Sequence, residues 1–301
     1  MAVRTLRRIG PAVGDSLYDR MRARTLHSVA WRPWVDETER HHPRLIIEDG
    51  PNLLAALDRG SARLVYGFES DRAFAARFPQ MFERLLPRIR KELKADIVRI
   101  GLEHAPARAM VEPVLKRLWF APVRDWLRFE LPRGARLPSS AAPRGVRFRE
   151  AQEADLPELM RIDAACFPAT PMSPDGMARS LRDGRALLAV QGKAVTGFCL
   201  FSEPEPGEGY INILAVDDQF RGQGLGAALT ARACKQLYAA GARRIRLTTD
   251  GDNGNAIRLY VRLGFRQEAA GRDYSRPTDP GAIERMRKQG EGIVIRFGGW
   301  R

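Results

Sequence analysis

The sequence predicts an α/β chain in which one strand–helix fold occurs twice, intact in the second half and decayed in the first. Three observations carry this. Strand and helix signals alternate regularly after residue 145, a composition break separates the halves, and the halves match without a gap when displaced by 145 residues. The break is Leu131–Gly145, LPRGARLPSSAAPRG, with three Pro, two Gly and few long apolar side chains. Such a stretch cannot bury a core and reads as a linker.

A chain of 301 residues accommodates two ordinary domains, and 44% hydrophobic residues is enough for real cores. No run approaches the ~18 apolar residues of a membrane span, so no membrane partner is expected. Met1–Trp34 carries seven arginines and no apolar h-region; it reads as an exposed helix or arm rather than a leader. Cys166, Cys199 and Cys234 are odd in number and widely spaced, which fits neither a disulfide framework nor a zinc site and suits a reducing cytoplasm. Adjacent His41 and His42 cannot both face one ion, so no metal is expected. The net charge is +14. The arginines are scattered along the chain, so an anion-binding site on a solvated basic surface is expected rather than nucleic acid.

In the second half, Val146–Ala151 alternates as a strand and Ala154–Phe167 has helical spacing. A short helix closes at Leu181–Asp183. Arg185–Gln191 and Lys193–Ser202 are strands joined at Gln191-Gly192, and Glu208–Val216 is a strand. Gly224–Gly241 is a strong helix stopped by Gly241. Arg244–Asp250 is a strand, Asn255–Leu263 a helix ended by Gly264, and Arg266–Arg276 a final strand. Under the displacement, Val98–Leu102 falls on Arg243–Leu247, Arg117–Phe120 on Arg262–Phe265, Phe82–Leu93 on the long helix and Arg63–Phe68 on Glu208–Ile213. A gapless match over four elements points to a diverged duplication.

The sharpest local feature is Arg221-Gly-Gln-Gly-Leu-Gly226, which follows a strand and opens a helix. The first N–H groups of a helix lack internal partners and point outward with the positive end of the dipole. Glycines let a diphosphate approach them, and Arg221 adds charge. A Walker loop would need Gly-Lys-Ser/Thr. A dinucleotide fingerprint would lie early in its domain, with its acidic residue closer than Asp250.

The second motif is Asp252-Asn-Gly-Asn-Ala-Ile-Arg-Leu-Tyr-Val-Arg-Leu-Gly-Phe265. With the loop at this spacing, Val146–Pro277 resembles the GNAT superfamily of N-acetyltransferases. The carrying residues are Arg221, Gly224 and Gly226, then Asn253, Ala256, Leu259, Tyr260, Leu263, Gly264 and Phe265. The resemblance implies an acyl-CoA N-acyltransferase fold, a mixed central sheet flanked by helices, with acetyl-CoA as co-substrate and an amine as acceptor. It implies that Leu214, Ala215 and Val216 pair with the pantetheine arm as a strand would. Gly222, Gln223, Gly224, Leu225, Gly226 and Ala227 would hold the diphosphate, with Asn253 reaching the cofactor. Tyr260 would protonate the leaving thiolate, for which a phenol of pKa about 10 is suited. Asn253 could equally cap its helix, and Tyr260 could be core. Some family members place a Glu base where this chain has Tyr210 or Thr248. Glu208, on the same strand face as Tyr210, is the best carboxylate candidate. Cys199 and Cys234 are poor nucleophile candidates.

The expected layout is therefore 1–130, a degenerate acetyltransferase-like domain without a cofactor loop; 131–145, linker; 146–277, catalytic domain; and 278–301, extension. In the first half Ala76–Met81 falls on the loop, Arg108 on Asn253 and Leu115 on Tyr260. Pro113 would kink the equivalent helix or move its start. Trp31, Trp34, Trp119 and Trp126 are expected in the core. The tail, with a helix over Ala282–Gln289 and a strand over Ile293–Phe297, is a candidate to complete a sheet or a homodimer contact. A reading of a different class is a non-catalytic acyl-CoA sensor, or a nucleic-acid binder using the basic first half.

Overall fold

Leu17, Tyr18 and Met21 share one helical face, with Arg20, Arg22 and Arg24 interleaved and following. In the computed structural model this segment is helix α1 (Leu17–Arg22), capped by the Ser16 hydroxyl, with all three side chains buried. The described part of the N-terminus is therefore not an exposed arm: burial of that face outweighs the arginines around it. The structure describes residues 16–28, 32–58, 61–103, 108–135, 137, 143–168, 171–183 and 185–288.

The remaining elements of the first half are β1 (Leu26–His27), α2 (Arg32–His41), β2 (Ile46–Asp49), β3 (Asn52–Asp58), β4 (Ala62–Phe68), α3 (Asp71–Arg88), β5 (Ile97–Glu103), α4 (Arg108–Arg117) and β6 (Ala121–Pro132). The second half follows with β7 (Val146–Glu150), α5 (Leu156–Cys166), α6 (Pro174–Asp183), β8 (Arg185–Gln191), β9 (Ala194–Glu205), β10 (Glu208–Val216), α7 (Leu225–Ala239), β11 (Arg244–Asp250), α8 (Gly254–Arg262), β12 (Arg266–Pro277) and α9 (Pro280–Lys288). The strand expected over Ile293–Phe297 lies outside the described residues, as does Trp31.

Among the described residues two compact units form, 16–122 with 273–288, and 123–272. The units part at Pro122/Val123 and Arg272/Asp273, not at the composition break. Leu131, inside that break, is fully buried as part of β6. The second unit takes in most of β6 from the first half of the chain, and the first unit takes in the end of β12 from Asp273 on.

The duplication is visible element by element. Displaced by 145 residues, β6 falls on β12 from first residue to last, and β4, α3, β5 and α4 overlap β10, α7, β11 and α8. The match extends to backbone detail. Phe120 N–H bonds Leu115 O at 3.0 Å as Phe265 N–H bonds Tyr260 O at 3.0 Å. Trp119 (φ +65°) holds the left-handed position that Gly264 (φ +91°) holds in the second copy. Its side chain is 39% exposed, not core. Pro113 lies inside α4 without displacing its start.

In the first unit, strands run in the order β2-β3-β4-β5, antiparallel except for the parallel pair β4/β5. A core of Tyr66, Phe68, Phe74, Phe78 and Phe82 packs the sheet against α3. A smaller cluster packs α1 and α2 on the opposite face. Leu115, aligned with Tyr260, is fully buried in the main core.

In the second unit the order is β12-β6-β11-β10-β9-β8-β7, with β10/β11 parallel and β11/β6, β9/β10, β8/β9 and β7/β8 antiparallel. The mixed sheet is flanked by α7 and α8 on one face and by α5 and α6 over β8–β10 on the other. Helix α7 is alanine-rich and favoured by propensity. It stops where expected. Gly241 (φ +107°) takes the left-handed position, and Ala242 N–H bonds Leu237 O at 3.0 Å.

Candidate functional site

The site begins where two parallel strands part. Glu208–Ile211 of β10 pairs with Arg244–Leu247 of β11, and the pairing ends there. On its other edge β10 shifts register between Ile211 and Ile213 against β9. Asn212 is the extra residue of this bulge, and its side-chain oxygen accepts a bond from the Ser202 hydroxyl at 2.9 Å. A bulge bends its strand. β11 meanwhile stays straight along β6 as far as Asp250 opposite Trp126. The edge of β10 that carries Leu214, Ala215 and Val216 thus departs from β11.

The first unit shows what fits such an edge. There β4 pairs with β5 only over Ala62–Leu64, and the departing end takes β1 as an antiparallel strand, Leu26 opposite Phe68 and His27 opposite Gly67. Ser28 extends this pairing, its N–H bonding Tyr66 O at 2.9 Å. Where the second unit presents a strand edge, the first has filled it with its own chain.

After β10 the chain makes one short turn, Asp218–Phe220, then the glycine loop. Gly222 (φ +77°) and Gly224 (φ +82°) adopt left-handed conformations, and nothing lies within 4 Å of a Cβ added at either. Backbone angle, not crowding, demands glycine there. Gly226 is different: its Cβ would stand 3.4 Å from Leu259 and 3.7 Å from Leu214, so glycine lets α7 approach α8 and β10. Gly224 is the N-cap of α7 and supplies no side chain. The first bond within the helix is Ala228 N–H to Gly224 O at 3.0 Å. The N–H groups of Leu225, Gly226 and Ala227 precede it and have no acceptor inside the helix. Gln223 is exposed, its amide bonding Gln219 O at 3.5 Å. In the first unit Asp71 opens α3 almost directly after β4, so Ala76–Met81 is helix and not loop.

Arg221 does not point its charge forward as the sequence suggested. Its Nε donates to Val216 O at 3.1 Å, one terminal nitrogen to Cys166 Sγ at 3.3 Å, and another pairs with Asp218 at 2.6 Å. Arg161 holds Asp217 at 2.9 Å. Arg221 is thus a strap that ties the loop to the end of β10. Asn253 caps α8, its side-chain oxygen accepting from Ala256 N–H at 3.1 Å. Tyr260 is 7% exposed, between Phe129 and Phe265 at ring-centroid distances of 6.3 and 5.9 Å.

Glu208 lies at the far end of β10 from the loop. It is ion-paired to Arg244 and lies 3.5 Å from Arg246. It lines a charged cleft of about 390 Å3 with Glu130, Glu205, Arg243 and Arg244. Tyr210 and Thr248, the two other positions considered for a base, are hydrogen-bonded to each other at 2.8 Å. That pairing across strands has no sequence signal. Burial pushes the Cys199 thiol well above its usual range and the Cys234 thiol up to about 12, which leaves neither as a nucleophile. Among the described residues, no cluster of His, Cys, Asp or Glu could hold a metal ion, and no helix is long and apolar enough to cross a membrane.

A mixed sheet whose parallel pair parts is met twice in this chain, and in the second copy the helix that follows is uncapped and opened by glycines; together these describe the tandem acyl-CoA N-acyltransferase fold. Solved structures agree on the fold. A GCN5-related N-acetyltransferase from Sphaerobacter thermophilus superposes with a TM-score of 0.62 at 19% identity, over 82% of this chain and 79% of that one. A tandem GNAT protein from the clavulanic acid biosynthesis pathway superposes with 0.61 at 14% identity, over 84% and 90%. Residues 156–265, within the second half of the chain, match the acetyltransferase (GNAT) family. Among curated relatives, the mycothiol acetyltransferase of Pseudarthrobacter chlorophenolicus is 34% identical over 170 residues, covering 50% of this chain and 51% of that protein. The mycothiol acetyltransferase of Rhodococcus opacus is 28% identical over 173 residues, covering 51% and 57%. The chain thus spans little more than half the length of these relatives.

Proposed function

We propose that the chain is an acetyl-CoA-dependent N-acetyltransferase that moves an acetyl group to an amine by direct attack, with both substrates bound together. The observation that carries this is the mouth of α7. Three unpartnered N–H groups stand behind two left-handed glycines, at the end of a strand whose edge has left its neighbour. A diphosphate suits the first feature and an extended amide-bearing arm the second.

In this reading Gly222, Gln223, Gly224, Leu225, Gly226 and Ala227 supply the diphosphate cradle, and Leu214, Ala215 and Val216 the strand edge. Arg221 sets the loop's position through Val216 O. The Asn253 oxygen is committed to its cap, so only its amide NH2 remains to meet the cofactor. Tyr260 donates its proton to the sulfur as the thioester bond breaks, and its aromatic neighbours hold the ring in place. Glu208, engaged by two guanidinium groups, belongs to the ion-pair lattice and is not assigned as the base. The first unit, its equivalent edge taken by β1 and its loop replaced by helix, is assigned a structural role. Buried, unpaired Cys199 and Cys234 suit a cytoplasmic setting.

The test is release of free thiol from acetyl-CoA in the presence of an amine library. Tyr260→Phe keeps the ring packing and removes one hydroxyl; turnover should fall ~10²–10⁴-fold with CoA affinity unchanged. Undiminished turnover would remove Tyr260 from the reaction. No thiol release from the wild-type chain with any amine would remove the reading itself.

A further inference from the structure

A charge enters a protein core at high cost unless something offsets it. Displaced by 145 residues, Arg276 of β12 falls on Leu131 of β6. The two hold matching places. From Asp273 on, β12 lies beside β5 in the first unit, as β6 lies beside β11 in the second. Leu131 is fully buried and packs with Leu263 and Phe265, and its Cδ1 would stand 3.6 Å from a Cβ added at Gly264. Arg276, only 7% exposed, meets the equivalent corner. It donates to Leu118 O at 2.8 Å and to Pro277 O at 3.2 Å. Its guanidinium stands over the rings of Phe82 and Phe120, 5.1 and 5.8 Å from their centroids. An aliphatic side chain fills this place in one unit, so packing does not require a cation in the other.

A second cation turns toward the first. After α3 the chain runs on through a wider π-helical turn, Ile89–Leu93. From this turn Arg90 donates through Nε to Thr278 O at 2.7 Å, two residues beyond Arg276. Its counterpart in the second unit, Lys235, is exposed. Burial, and then the nearby Arg90, push Arg276 down to about 10.

No acid offsets the pair. Among the described residues neither guanidinium makes an ion pair. Asp273 lies on the opposite face of β12 from Tyr274 and Arg276, because successive side chains alternate. Glu112 accepts from the Tyr274 hydroxyl, and Asp279 accepts from the N–H groups of Gly281 and Ala282. Glu83, Asp96 and Glu284 are exposed, and Glu92, on the π-helical turn itself, pairs with neither arginine. Leu118 O belongs to the C-terminal end of α4, which offers about half a negative charge. Two full positive charges exceed that.

We propose that Arg276 and Arg90 form an oxyanion site in the first unit, taking a carboxylate or phosphate group where the end of α3 meets β12. Arg276 Nη2 and Arg90 Nη1, unbonded among the described residues, supply the donors. Guanidinium groups match both anions in shape and charge. The site is separate from the mouth of α7 and does not depend on acetyl transfer.

The probes are inorganic phosphate and acetate, each titrated at an ionic strength held constant with chloride so that screening is matched. In ¹⁵N-labelled protein the side-chain Nε–H resonances of Arg276 and Arg90 report the site. They are assigned by their loss in Arg276→Leu and Arg90→Gln. Both should shift saturably and with one affinity. A preference for phosphate of about tenfold or more marks a phosphate-bearing ligand, and comparable affinities mark a carboxylate. Each variant removes one charged donor, so the affinity read at the remaining arginine should fall about 10-fold or more. Resonances that stay still with both anions would overturn the proposal, and phosphate held only at the mouth of α7 would give that result. Unchanged affinity at Arg276 in Arg90→Gln, or at Arg90 in Arg276→Leu, would overturn it as well.

Discussion

Gly224→Ala separates the loop's two roles, because the added methyl group meets no protein atom. Gly224 sits at φ +82° with nothing within 4 Å of its Cβ position. An L-residue in that region costs about 1–2 kcal/mol, and this is the whole expected loss of stability. Gly241 is the matched control. It stands at φ +107° just past the other end of α7, again with nothing within 4 Å. Alanine there should cost a similar amount. Binding should tell them apart. The N–H groups of Leu225, Gly226 and Ala227 are aimed by the Gly224 backbone, and a hydrogen bond to a charged group contributes about 1.5–3 kcal/mol. Relaxing the cap to relieve strain loses at least one of these, so CoA affinity should fall ~10–150-fold in Gly224→Ala. In Gly241→Ala it should stay within about twofold. Urea unfolding gives the stability pair and titration calorimetry with CoA the affinity pair. Equal CoA affinities in the two variants would show that the mouth of α7 is not the cradle.

Two further outcomes follow from the packing and the charges. Phe78 stacks between Phe74 and Phe82, at centroid distances of 4.3 and 5.8 Å. Phe78→Ala should cost about 3–5 kcal/mol by urea unfolding, and a loss under about 1 kcal/mol would mean that this aromatic ladder is not the first unit's core. Glu268 has its folded pKa depressed by Arg128 and Arg246 against the opposing effect of burial. Its contribution is therefore present above the unfolded carboxylate value of about 4.3 and is lost as pH falls through the folded value. Glu268→Gln should destabilise the chain at pH 7 by on the order of 1 kcal/mol and flatten the loss of stability below about pH 4.5. A variant with an unchanged acid limb would contradict the pairing.

Much of the second unit was legible because its signals are local. The bounds of Arg185–Gln191, Glu208–Val216 and Arg244–Asp250 follow from alternation and turn residues, and the structure keeps them. Gly241 and Gly264 end their helices as glycine does anywhere, and the repeat is carried in the sequence itself by the displacement of 145 residues. What stayed hidden depends on partners distant in sequence. Arg246 of β11 reaches both Glu130 and Glu268, so nothing near Glu208 announces the ion-pair lattice around it. Arg221 looked like a phosphate-facing cation until Val216 O and Cys166 Sγ stood beside it. The pairing of β1 with β4 joins residues some forty apart through a strand of two residues, too short to carry a pattern. The composition break misplaced the division because Leu131, a single apolar residue among prolines and glycines, is enough to end a buried strand.

The central claim is that backbone N–H groups at the start of α7 hold the diphosphate of CoA. Titration of ¹⁵N-labelled protein with CoA reads those groups one by one. The amides of Gly222, Gly224, Leu225, Gly226 and Ala227 should shift saturably and together, while those of Asp71–Ala73 at the start of α3 stay still. Loop amides that do not move at saturating CoA, or shifts confined to other parts of the chain, would contradict it.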